Sequence, residues 1–163
     1  ANFVDMLAHK RAESDVLREM LPDESGYRSA IRTWFEHSWL FALLRDLSQD
    51  GFTVIMTSDH GSTQVHKGVL VGADKETSKG VRYKIGRNLN TNEKHAIIIR
   101  RPADYRLVDL MHQTTYLIAK EDVFFLYPNQ QHKYEGRLKD SFQHGGISLE
   151  EMMVPVVTLR SKS

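Results

Sequence analysis

Apolar residues recur at every fourth position through the first third of the chain: Ile31, Phe35, Trp39, Leu43 and Leu47, joined by Trp34 and Ala42. This stripe predicts one amphipathic helix over 27–49 with both tryptophans in the core. Asp50-Gly51 ends it, with glycine where a helix C-terminus favours one. The mostly β-branched or apolar run at 52–57 predicts a strand covered on both faces, and 2–4 reads as the tail of another. Strand, helix and strand in that order predict a right-handed crossover and a largely parallel sheet flanked by helices, an α/β fold.

Further along, 10–26 is polar with Pro22 and Gly26 and reads as a loop with one helical turn. The Gly-, Lys-, Thr- and Ser-rich stretch 61–80 reads as an exposed loop or hairpin. Strands are expected at 95–100, ended by Pro102, and at 115–118 and 123–127, the last two antiparallel. A polar loop at 128–141, a short helix at 147–153 and a final strand at 154–159 complete the pattern. No repeat or second domain is visible, so the 163 residues read as a single domain. Because 2–4 reads as a strand entered midway, the chain is expected to be a piece of something longer.

Composition narrows the chemistry. A net charge of +1 gives no general pull toward nucleic acid or anionic lipid. No apolar run reaches membrane-spanning length, and no signal peptide opens the chain. Without cysteine there are no disulfides and no thiolate ligands, which fits a cytoplasmic protein and leaves His, Asp and Glu to hold any metal.

Three segments then stand out: Asp5-x-x-x-His9, Asp59-His60-Gly61 and His144-Gly145-Gly146. The first two are expected just past strand ends, where open α/β sheets bind ligands. Each is unremarkable alone, but carboxylate and imidazole donors in this order are what a hydrolytic zinc or manganese centre needs. His37, His66, His95, His112 and His132 lack spaced partners and read for the most part as surface residues. Glu150 and Glu151 fall at a helix start, where acids favour the dipole, within reach of a bond to His144. On 61–90, Arg82, Lys84 and Arg87 are candidates to grip phosphate, and Tyr83 to stack on a base.

The order of these motifs resembles the alkaline phosphatase superfamily of metal-dependent phosphate and sulfate ester hydrolases. More narrowly, "SDHGS", "VRYKIGRNL" and "HGGISLEEMMVPVV" resemble the PglZ branch, and within it the C-terminal domain of PorX-type response regulators. The resemblance implies two zinc ions, with Asp5, His9 and His144 on one and Asp59 and His60 on the other. It implies a nucleophile and a further Asp upstream of Ala1, so that this chain alone is expected to be inactive. The implied activity is phosphodiester hydrolysis, of oligonucleotides among other substrates, in a signalling protein with an upstream receiver domain, a homodimer and protein partners. Rival expectations are monoesterase, sulfatase or phosphomutase chemistry, or a regulatory module that keeps metal only to recruit a partner.

Overall fold

The computed structural model describes residues 2–73, 78, 80–110 and 113–161. It divides into two compact units, one formed by 1–59 with 154–163 and the other by 60–153. No helix among the described residues is long and apolar enough to cross a membrane.

In the first unit, α1 (Phe3–Glu13) stands where a strand was expected at 2–4. Three residues, two of them apolar, are too short a window to set a period, and the i, i+4 pairs of the longer segment decide it. Phe3 stacks on Trp34 with ring centroids 4.5 Å apart, and Ala8, Arg11 and Ala12 are buried. The Arg11 guanidinium donates to the Leu21 and Pro22 carbonyls at 2.6 and 2.8 Å, which satisfies backbone acceptors just past α2 (Asp15–Met20). The helix expected over 27–49 is two helices, α3 (Glu24–Glu36) and α4 (Trp39–Gln49). Ser38 causes the break: its hydroxyl donates to the Phe35 carbonyl and accepts from the Phe41 N–H, capping α4. The turn swings Trp39 out to 66% exposure, so it is not the core residue the stripe predicts. β1 (Val54–Thr57) pairs antiparallel with β9 (Val156–Leu159), not in the parallel crossover expected for it.

The second unit holds the other strands in small sheets. β4 (Tyr83–Arg87), β6 (Thr114–Ala119) and β5 (Ala96–Ile99) form an antiparallel sheet with β6 in the middle. β2 (Thr63–Val65) pairs antiparallel with β8 (Ser141–Gln143). The one parallel pair among the described strands joins β3 (Lys67–Leu70) to β7 (Val123–Leu126). Thus 61–80 carries two strands, each paired with a distant partner, where an exposed loop or hairpin was expected, and β6 and β7 lie in different sheets. The expected loop at 128–141 contains α5 (Gln131–Leu138).

Successive side chains of a strand point to opposite faces, and β7 uses both. Val123 and Phe125 join Val69, Val71, Leu117 and Tyr127 in one cluster, while Phe124 and Leu126 join Val65 in another, covered by Tyr134 and Leu138 of α5.

A buried ion pair ties this scaffold to α6 (Leu149–Met152). Arg82 is fully buried, and its guanidinium bonds the Glu151 carboxylate through Nε at 2.9 Å and Nη2 at 2.5 Å. The same carboxylate accepts the Gly146 N–H at 2.8 Å and the Ser148 N–H at 2.9 Å. Burial alone would push the Glu151 carboxyl up, but the bonds from Arg82, Gly146 and Ser148 and the field of Arg82 outweigh it and hold its pKa below the ordinary value.

Two predictions follow from these contacts. The Tyr27 hydroxyl donates to the Val4 carbonyl at 2.9 Å, and burial, assisted by the Asp5 charge, pushes its pKa up to about 12. Its contribution is whole below the unfolded pKa near 10 and is lost as pH rises through the folded value. Alkaline unfolding curves of wild type and Tyr27→Phe should therefore converge as pH climbs through that window, after differing by about 1 kcal/mol near neutrality. In the second unit, Arg82→Met strands a buried carboxylate and should cost about 3–5 kcal/mol in urea unfolding at neutral pH. Arg82→Met/Glu151→Met should recover part of that loss. For wild type the stabilisation from Glu151 is present above about pH 4.3 and fades as pH falls through its lower folded pKa.

Candidate metal centre

Asp59 and His60 follow β1, as the sequence predicts, and His144 follows β8 directly. Asp5 and His9 instead lie one turn apart on α1, on the same helix face.

In the second unit the imidazoles of His60 and His144 stack, with ring centroids 4.0 Å apart and planes 18° from parallel. A ligand nitrogen of each lies within 4.8 Å of the other, and to share one cation at about 2.0–2.1 Å from each they would have to stand no more than about 4.2 Å apart. His60 Nδ1 lies 2.9 Å from the Gly61 carbonyl oxygen. A carbonyl only accepts, so Nδ1 is the protonated nitrogen in the tautomer that makes this bond.

Glycines make this approach possible. A Cβ on Gly61 would lie 1.9 Å from the Glu150 carbonyl oxygen, while the Gly61 N–H donates to the Glu151 carbonyl at 3.0 Å. Gly145 has φ +102°, a conformation other residues rarely adopt, and a Cβ there would sit 2.8 Å from the Tyr83 ring. A Cβ on Gly146 would press on the Arg82 guanidinium at 2.6 Å and the Ala119 carbonyl at 2.7 Å.

In the first unit, His9 Nε2 lies 3.3 Å from Asp5 Oδ1, with both side chains nearly half exposed, and Asp59 is exposed at the end of β1. Contacts within each unit therefore pair Asp5 with His9 and His60 with His144. The ligand sets carried over by resemblance put His144 and His60 on different ions.

The four residues expected to meet substrate split by the alternation of β4. Tyr83 and Arg87 face outward. Arg82 and Lys84 are buried: Arg82 is spent on Glu151, and the Lys84 ammonium sits 4.5 Å above the centre of the Tyr127 ring. Neither is the solvent-facing phosphate grip the sequence suggests: Lys84 takes an inward position of β4, and Arg82, just before that strand, is drawn inside by Glu151. Of the histidines read as surface residues, His37, His66 and His132 are exposed, His95 is half-buried and His112 lies outside the described residues.

Sequence reasoning underrated Glu151. The signal was present as Ser148-x-x-Glu151, a capping-box spacing in which the acid reaches back to the first backbone N–H groups of the helix.

Imidazole and carboxylate donors without thiolate fit a divalent transition metal, and the paired rings of His60 and His144 are the observation that favours one. Comparison with known families matches residues 1–159 to the BREX system PglZ alkaline phosphatase-like domain. A search of curated proteins finds no match. The family match covers the PglZ likeness and does not reach the narrower likeness to PorX-type response regulators. With nearly the whole chain covered, it belongs to the PglZ family of alkaline phosphatase-like domains, which points to a superfamily of metal-dependent phosphoesterase chemistry.

Proposed function

We propose that this is the metal-holding part of a zinc-dependent phosphodiesterase. The stacked pair of His60 and His144, with Nδ1 of His60 committed to the Gly61 carbonyl, carries the reading. These two imidazoles would hold the metal. When bound, a divalent cation polarises a phosphoryl oxygen and offsets charge developing on it.

The chain's own residues support diesters over monoesters. A monoester dianion calls for more neutralising charge than a diester monoanion, and burial of Arg82 and Lys84 takes two cations away from the surface beside the His144 loop. Tyr83, 41% exposed with its ring packed against Gly145, offers an aromatic face next to that loop. Such a face suits a nucleotide base as the second substituent of the phosphate. Arg87, outward on the same strand, would hold a neighbouring phosphate.

Zinc titration against a competing chromophoric chelator tests the metal assignment. His60→Ala and His144→Ala should each weaken binding by more than about 100-fold, beyond what loss of an outer partner costs. In the native protein, hydrolysis of bis-p-nitrophenyl phosphate should exceed that of the monoester, vanish with chelator and return with zinc. Zinc affinity indifferent to both histidines would overturn the reading.

A further inference from the structure

We propose that Arg82 and Glu151 are positioning residues that fix the separation of His60 and His144, with Glu151 gripping both histidine loops at once. The proposal rests on the metal reading only in taking those two rings as ligands.

The geometry is economical. Glu151 Oε1 accepts from Arg82 Nε and the Gly146 N–H, while Oε2 accepts from Arg82 Nη2 and the Ser148 N–H. Two bonds per oxygen saturate the carboxylate. The backbone carbonyl of the same residue accepts the Gly61 N–H at 3.0 Å, and the Gly61 carbonyl in turn accepts from His60 Nδ1. One residue thus reaches the loop of His144 through its side chain and the loop of His60 through its main chain. Arg82 anchors this hub to the scaffold: Nη1 donates to the Val123 carbonyl at the start of β7, and its own carbonyl accepts the Ala119 N–H at 2.9 Å. The Ile147 N–H closes the loop onto the Ala119 carbonyl at 3.0 Å.

Stability alone does not call for such a pair. An apolar pair of similar volume is often as stable as a buried salt bridge. It would leave the Gly146 and Ser148 N–H groups without acceptors, and the His144 loop without its tether. The planar fork of Arg82 meets both carboxylate oxygens, which a lysine ammonium cannot reproduce.

The test uses the full chain with labelled histidine rings, in two measurements. Metal-free wild type should show a nuclear Overhauser effect between the rings of His60 and His144. Arg82→Lys and Glu151→Gln, where they retain a cooperative thermal melt, should lose that effect and bind zinc 10–100-fold more weakly. Variants that melt earlier but keep both the ring contact and wild-type zinc affinity would overturn the proposal, leaving a structural ion pair only. If the variants do not fold, native-state hydrogen exchange of wild type decides. The Gly61 and Gly146 amides should be protected and open together, and independent or unprotected exchange would overturn it. Should wild type keep the ring contact and the coupled exchange but bind no zinc, the metal reading falls while the positioning role stands.

Discussion

A carboxylate inside a protein must find as many donors as water would have given it. Glu151 finds four, and they come from three stretches of chain: the head of β4, the glycine turn after His144 and the start of its own helix. Remove the guanidinium and the acid becomes the costliest group in the second unit. Keep it, and both carboxylate oxygens are satisfied while the turn after His144 is tied to them through the Gly146 N–H. The two imidazoles therefore meet because of an electrostatic requirement some distance from either ring.

The same economy runs through the strands. β4 alternates, sending Lys84 and Gly86 inward and Tyr83 and Arg87 outward, and Arg82 just before it is buried as well. The inward cations serve the interior, one against Glu151 and one over Tyr127. What remains outside is an aromatic ring and a single arginine. β7 does the opposite and is apolar at every position, because each of its faces belongs to a different cluster. One strand shared by two cores makes it hard for either to loosen alone.

Much of this was readable in advance. Period and punctuation located β1, β5, β6, β7, α6 and β9 to within a few residues, and among the three motif segments the structure stacks His60 on His144 and sets Asp5 and His9 a turn apart. What misled was topology and context. The parallel sheet was inferred from one crossover whose first strand is the helix α1, and a single serine divided the longest predicted helix. Burial of Arg82 was invisible because its partner lies 69 positions away, and nothing local distinguishes a cation bound for the core from one bound for solvent. Ser148-x-x-Glu151 did announce a helix start. It did not announce that the acid would serve a second purpose.

The glycine of Asp59-His60-Gly61 is a matter of contact and not of reactivity, since the space for any side chain there is filled by the carbonyl of Glu150. The triplet thus carries a steric imprint of the helix behind it. A larger residue at the third position would have to displace that carbonyl or the turn that carries His60, without touching the imidazole itself.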